Sequence, residues 1–322
     1  MRKTLLKMYH DLKESGSVSD YPYLLGNTMY KILLDKYKGV SSPWRQYCMI
    51  SELSDFKAHD RVIVSEAPDL LEVEEDGNYS DSEITDYRYQ LKAKTFGRTF
   101  TIGRQVVIND DLNAMKRQPE RFGRASARTL IKKIVAAIEG DGNTYDGSSL
   151  FAVAHSNYGS TTLANTAAGA AAVAAGMAAI RKATDPATGE KMGLQPKYLL
   201  VPPDLEDIAL RLVNSAQLLP VSTSGGGTDN ATLRRLQVIV EPFLTSATGW
   251  YVLADPADCP VIDVGFLDGK DTPDLLVKKA EMLNLAGGED PYGYEFDEIC
   301  YKVRHDWAIS LAYYQGIYRG KA

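Results

Sequence analysis

The residues of this 322-residue chain that could do chemistry are few, and their spacing favours turns over active sites. Asp141-Gly142-Asn143-Thr144-Tyr145-Asp146-Gly147 sets oxygen ligands at alternate positions, as a calcium loop does. Its glycine comes one position late, however, and the twelfth residue is Ala152 instead of a bidentate Glu, so a helix-ending turn explains it better. Ser148 and Ser149 stand near His155, the base and nucleophile that a cytosolic hydrolase would need. Neither serine sits in a GxSxG elbow, and His10, His59, His155 and His305 are scattered without ligand spacing. A polar turn held by hydrogen bonds is the stronger reading of Ser148 and His155; the hydrolase is the alternative from another class. His305, flanked by Arg304 and Asp306, reads as a pairing site.

Asn109-Asp110-Asp111 offers paired carboxylates for acid and base work. Adjacent residues at a helix start point in different directions, so capping accounts for them as a structural corner. Phosphate-binding loops are absent: no GxxxxGK[ST] occurs, and neither Gly269-Lys270 nor Gly320-Lys321 is followed by Ser or Thr. Cys48, Cys259 and Cys300 are odd in number and lack CxxC pairing, which argues against disulfides and zinc and fits synthesis in a reducing cytosol. No catalytic residue, cofactor or metal is expected.

The elements that hold these residues change period along the chain. Tyr87 to Phe96 alternates apolar and polar as a strand with one solvated face, and Phe100, Ile102, Val106 and Ile108 carry it onward, with Gly97 and Gly103 as kinks or bulges. Asn109 then caps a short helix running toward Gln118, and Pro119 opens a second, longer helix. Along that helix Phe122, Ser126, Leu130, Ile134 and Ile138 fall four apart, an apolar stripe ended by Gly140-Asp141-Gly142-Asn143. Upstream, Arg61 to Glu66 and Leu70 to Val73 form the outgoing strand of a hairpin whose tip, Glu74 to Glu83, is too acidic for a core. Such a hairpin is marginal alone and needs something to lie on.

Downstream, Thr161 to Ala183 is an Ala-rich helix and too interrupted by polar residues to span a membrane. A strand at Lys197 to Val201 follows, then a helix capped by Asp204 and running through Asn214. Ser222 to Asn230, with Gly225-Gly226-Gly227, is a surface loop. Leu236 to Val240 and Trp250 to Leu253 read as adjacent strands. Val261 to Leu267, Leu275 to Leu283 and Ile299 to Tyr318 are strand-rich. At the N-terminus Met1 to Gly16 is an amphipathic helix rather than a secretory signal, followed after Ser15-Gly16-Ser17 by a second amphipathic run from Thr28 to Tyr37.

This ordered set resembles a tailed-phage major capsid protein of the Hong Kong 97-type shell fold. The resemblance is carried by the hairpin, by Thr99-Phe100-Thr101-Ile102-Gly103-Arg104-Gln105-Val106-Val107-Ile108-Asn109-Asp110-Asp111-Leu112, and by the long helix. Leu25-Gly26-Asn27-Thr28, Ser54-Asp55-Phe56-Lys57, Asp146 to Phe151 with His155-Ser156-Asn157, Pro196 to Pro203 and Tyr301 to Trp307 extend it over nearly the whole chain from about Leu24. It is most similar to subunits encoded beside, or fused to, a Clp-like prohead protease.

The resemblance implies an α+β fold with an N-terminal arm at 1–58, an extended hairpin or E-loop at 59–108, a discontinuous peripheral domain at 109–160 plus 256–322, and an axial domain at 161–255. It implies a non-enzymatic protein, made in the host bacterial cytoplasm, that assembles with itself as pentamers and hexamers into an icosahedral head around double-stranded DNA. A portal protein, a prohead protease and a scaffold are the implied partners. Candidate contacts between subunits are Leu70, Leu71, Asp76, Gly77, Tyr79, Tyr87 and Tyr89 on the hairpin and Gly225, Gly226 and Gly227 at the axis. An encapsulin-type compartment is the alternative within the same fold. Lys92, Lys94 and Asn78 do not identify a covalent cross-linking pair. The net charge of −6 argues against a chain built to grip nucleic acid, though not against one that surrounds it or carries a local basic patch.

Overall fold

The computed structural model describes residues 21–40, 42–73, 77, 79, 81, 84–103, 105, 112–218, 228–230, 234–278, 282–283, 289–290 and 297–321. The helices are α1 (Tyr21–Lys38), α2 (Trp44–Tyr47), α3 (Leu112–Glu139), α4 (Ala167–Arg181) and α5 (Glu206–Asn214). The strands that build the two main sheets and the hairpin are β1 (Met49–Leu53), β2 (Ala58–Val64), β3 (Asp86–Lys92), β4 (Lys94–Gly103), β5 (Tyr158–Gly159), β6 (Pro196–Val201), β7 (Gln237–Val240), β8 (Trp250–Ala254), β9 (Ile262–Leu267), β10 (Asp274–Val277), β11 (Glu298–Leu311) and β12 (Ile317–Gly320). The chain falls into two compact units: the described residues of 1–41, 95–129 and 270–306, and those of 42–94, 130–269 and 307–322.

In the first unit α1 lies against the N-terminal part of α3. Gly123 makes the approach possible, since a Cβ there would stand 2.4 Å from the Leu33 carbonyl oxygen. Met29, Ile102, Ile299 and Tyr301 are buried together. The Phe100 ring stacks on Phe122 at 4.8 Å and on Tyr301 at 5.2 Å. β10 pairs antiparallel with β11 from Asp274↔Arg304 to Val277↔Tyr301, and β4 pairs with β11 as well. Gly97 is no bulge: it lies within β4, where a Cβ would come to 2.7 Å from the Val303 carbonyl oxygen, so close strand approach is what requires glycine.

In the second unit a sheet of order β5-β12-β8-β6-β7 carries the largest core. Val173, Met177 and Ile180 of α4 and Ala209, Leu212 and Val213 of α5 are buried in it. Thr166 caps α4 by accepting from the Gly169 amide at 3.3 Å. A second set of strands pairs β1 parallel with β9, and β9 antiparallel with β11 from Ile262↔Leu311 to Phe266↔Trp307. The last strand, β12, joins the first of these sheets beside β8.

Further expectations are corrected. The helix does not restart at Pro119: α3 runs unbroken from Leu112 to Glu139 with the buried proline inside it, where the missing N–H removes one hydrogen bond. Residues 65–73 form no strand, so the outgoing arm of the hairpin ends at Val64. Asp204 does not cap α5 but lies in a 3-10 turn, Pro203–Leu205, that leads into it. Finally, Gln237–Val240 and Trp250–Ala254 are not neighbours, because β6 lies between them, parallel to the first and antiparallel to the second. The second amphipathic run is also longer at its start than Thr28 to Tyr37, beginning at Tyr21. Met1 to Gly16, Ser15-Gly16-Ser17, Val106, Ile108 and the corner Asn109-Asp110-Asp111 lie outside the described residues.

Candidate assembly surface

The hairpin predicted from period-two alternation is built from β2 and β3, antiparallel in register from Ala58↔Lys92 to Val64↔Asp86. One step further, Ser65 N–H donates to the Thr85 carbonyl at 2.9 Å and Thr85 N–H to Ser65 Oγ at 3.1 Å. Alternation gives the ribbon two faces. The inward face carries His59, Arg61 and Ile63 with Tyr87, Tyr89 and Leu91; of these Ile63 and Leu91 are buried. The outward face carries Val62 and Val64, 61% and 60% exposed, beside Asp60, whose carboxylate meets Arg88 at 3.6 Å and accepts from Gln90 at 2.8 Å.

The root of the ribbon is fixed by a buried carboxylate. Asp263, on β9, is fully buried and accepts from Ser51 Oγ at 2.6 Å and from the Tyr89 hydroxyl at 2.9 Å. Burial and that carboxylate push the Tyr89 hydroxyl well above the ordinary tyrosine range. Beside them Leu91 packs with Leu53, Ala93 and Ala308. Gly265 leaves room, since a Cβ there would meet a Leu91 methyl at 2.6 Å. Arg61 Nη2 donates to the Glu52 carbonyl at 2.7 Å. Tyr87 packs its ring on Tyr145 at 5.1 Å.

Past the ribbon the side chains have little to pack on. Leu70 is 100% exposed, Leu71 69%, Tyr79 87% and Ile84 64%, and Gly77 is exposed too. A stretch with so much open apolar surface marks a docking element more often than a finished surface. Residues 66–86 hold nine Asp and Glu and no Lys or Arg, so with −6 overall the rest of the chain is net cationic. Tyr87 and Tyr89, by contrast, are half-buried in the subunit's own structure. Asp76 and Gly225, Gly226 and Gly227 lie outside the described residues.

The turn after α3 is a hydrogen-bonded corner. Asp141 adopts a left-handed φ of 52° at the helix end and accepts from the Phe151 amide at 2.7 Å. His155 commits both ring nitrogens, to Asp146 Oδ2 at 2.8 Å and the Leu150 carbonyl at 3.2 Å, and stacks on Tyr314 at 3.6 Å. Burial raises the Asp146 carboxyl, but hydrogen bonds from Thr144, His155 and the Ser148 amide outweigh it and hold the group at about 2. Both ring nitrogens face these acceptors, so neither is turned toward Ser148 or Ser149 as a base. Among the described residues no group of three His, Cys, Asp or Glu is placed to hold a metal, and no helix is long and apolar enough to cross a membrane.

Two structural residues escaped the sequence reading. Asp263 sits in the apolar run Val261 to Phe266, and a lone carboxylate inside such a strand is the one signal that could have flagged it. Glu241, also fully buried, accepts from Ser42 at 3.0 Å and Tyr47 at 3.4 Å, and burial raises its carboxyl.

With the hairpin, the long helix and the two sheets in place, comparison with known proteins decides the family. Residues 59–320 match the model of a family described as phage capsid protein. The chain belongs to the phage capsid protein family. No curated protein matches it. Solved structures share the fold: one from the Microbacterium phage Oxtober96 is 12% identical with a TM-score of 0.56, over 87% of this chain and 90% of that one. The capsid structure of the cyanophage P-SCSP1u is 8% identical with a TM-score of 0.57, over 88% of each. A virus-like particle from Pyrococcus furiosus is 12% identical with a TM-score of 0.53, over 92% of this chain and 98% of that one. The fold is thus the α+β shell fold of the Hong Kong 97 type, and the protein is a shell-forming major capsid protein of the virion. The family match favours a phage head over an encapsulin-type compartment.

Proposed function

We propose that this capsid protein forms an icosahedral head of pentamers and hexamers around double-stranded DNA, each hairpin lying across a neighbouring subunit. The observation that carries this reading is the contrast along the hairpin. Its root is tied into the subunit by Asp263 and Leu91, while Leu70, Leu71 and Tyr79 are left open to solvent. Burying those side chains on a second copy stabilises the assembly by about 25 cal/mol for each Å² of apolar surface covered, repeated at every copy of the interface.

In this reading 1–58 is an arm reaching a neighbour, 59–108 the E-loop, 109–160 with 256–322 the peripheral domain, and 161–255 the axial domain, with Gly225-Gly226-Gly227 near the symmetry axis. The subunit needs no catalysis. It is made in the host cytoplasm and takes a portal protein, a prohead protease and a scaffold as partners. Rearrangement during maturation would move subunits as bodies, with the hairpin as the hinged part.

Negative-stain electron microscopy of the expressed chain tests this. Shells or capsomer rings are expected, and removal of residues 66–84 should leave folded subunits that no longer close shells. A uniform monomer across salt concentrations and with scaffold supplied, or full assembly by the truncated chain, would overturn the reading.

A further inference from the structure

The first unit carries a row of charge that neither the core nor the hairpin uses. Arg117, Arg121, Arg124 and Arg128 of α3 are spaced four, three and four apart, which places them within about 60° of arc on one side of the helix. All four are exposed, while Leu130, Ile131 and Ile134 further along the same helix are buried. Among the described residues only Arg124 of the four forms an ion pair, with Glu120 at 3.7 Å and partly exposed, a contact worth little. Four like charges on neighbouring turns repel one another and cost helix stability. A partner that neutralises them removes that cost.

We infer that this row is a contact surface for the phosphate backbone of the duplex DNA that the shell encloses, an inference resting on the enclosure proposed above. From Arg117 to Arg128 the helix rises roughly 16 Å. One strand of B-DNA sets a phosphate every 3.4 Å or so, giving about five phosphates along that length for four guanidinium groups. The residue type also fits, because a guanidinium fork meets phosphate oxygens in two parallel hydrogen bonds where an ammonium offers a point charge. Nothing in the row would read bases, so the contact is independent of sequence. The acidity of the whole chain conceals it, since the nine carboxylates of residues 66–86 outweigh the helix in the net charge.

The test uses the full-length chain as unassembled subunits or capsomers, titrated against a short fluorescein-labelled duplex of mixed sequence by anisotropy over a tenfold range of salt. Changing all four arginines to Gln should lower the slope of log K against log salt by about 3 to 4, at roughly 0.9 per phosphate contact, and each single change such as Arg128→Gln by about 1. Changing all four to Lys should keep most of the slope, which separates loss of charge from damage to the helix. Unchanged slope and affinity in the Gln variant, or no duplex binding by the wild type, overturns the inference. So does a Gln variant that binds duplex normally but no longer assembles, which would assign the row to the acidic hairpin of a second copy. Micrographs of the wild-type chain report on shell formation separately, so the two readings fail independently.

Discussion

The Tyr89 hydroxyl donates to Asp263 Oδ2 at 2.9 Å, joining a strand of the hairpin to a carboxylate that is fully buried in the second unit. Ser51 supplies the other side-chain hydrogen bond, at 2.6 Å. A buried carboxylate is costly unless such donors satisfy its oxygens. Tyr89→Phe removes one donor and leaves the acceptor in place. It should therefore destabilise the unassembled chain by about 1.5–3 kcal/mol, read as a lower urea midpoint with unchanged m-value. Ser51→Ala with Tyr89→Phe should cost more than the sum of the two single changes, since the pair serves one carboxylate.

Acid should weaken the first unit through His305. Burial lowers this imidazole from 6.5 to about 4, against the opposing pull of the Asp306, Asp271 and Asp274 charges around it. Ser126 Oγ lies 3.4 Å from its Nδ1 and the Tyr37 ring meets it edge-on at 5.6 Å. The folded state thus binds the proton less tightly than the unfolded one. Stability contributed by neutral His305 is complete above pH 6.5 and is lost as pH falls from 6.5 through about 4, in total roughly 3 kcal/mol at 1.36 kcal/mol per unit. Urea titrations of wild type and His305→Gln at pH 7.5 and pH 4.5 check this: the wild type should lose more over the interval, and equal losses would remove His305 as the cause.

How far the sequence foretold these features depends on whether a residue's partner is near in the chain. The alternation from Tyr87 and the four-residue spacing of Phe122 to Ile138 are local patterns, and each falls in an element of the expected type, though the strand read from Tyr87 to Phe96 breaks at Ala93 into β3 and β4. Local chemistry favours proline in the first turn of a helix, yet α3 runs through Pro119. Leu70 to Val73 looks like strand by composition, yet among the described residues no strand pairs with it. Asp263 and Tyr89 are 174 residues apart, and Glu241 and Ser42 are 199 apart. Such pairs leave no periodicity to find. The corner at His155 was legible as a polar turn because its partners, Asp146 and Leu150, are its near neighbours.

Gly123 should not tolerate a methyl group. A Cβ there would lie 2.4 Å from the Leu33 carbonyl oxygen and 3.2 Å from the Tyr37 amide nitrogen, both backbone atoms of α1. Alanine is the better helix former by about 1 kcal/mol, so on propensity alone the change would stabilise α3. The clash should win, because α1 must shift as a whole and overpacking of this kind costs about 1–3 kcal/mol or more. Gly123→Ala is expected to lower the urea midpoint and speed proteolytic cleavage within residues 27–40. A raised midpoint would show that the two helices are not held in this contact.

The exposed leucines of the hairpin should matter to assembly and hardly at all to the subunit. Leu70 and Leu71 have little to lose in the isolated chain, being 100% and 69% exposed, so replacing both by Ser should move its unfolding free energy by no more than about 0.5 kcal/mol. In a shell each leucine buried on a neighbour is worth about 1.5–3 kcal/mol, and the loss recurs at every copy of the contact. The double variant should therefore raise the protein concentration at which light scattering first reports shells by tenfold or more, at 1.4 kcal/mol for each factor of ten. Matching monomer stabilities with separated assembly thresholds would locate the effect between subunits. Equal thresholds would mean that these leucines stay in solvent after assembly, and the clasp would then have to lie on the outward face of the ribbon at Val62 and Val64.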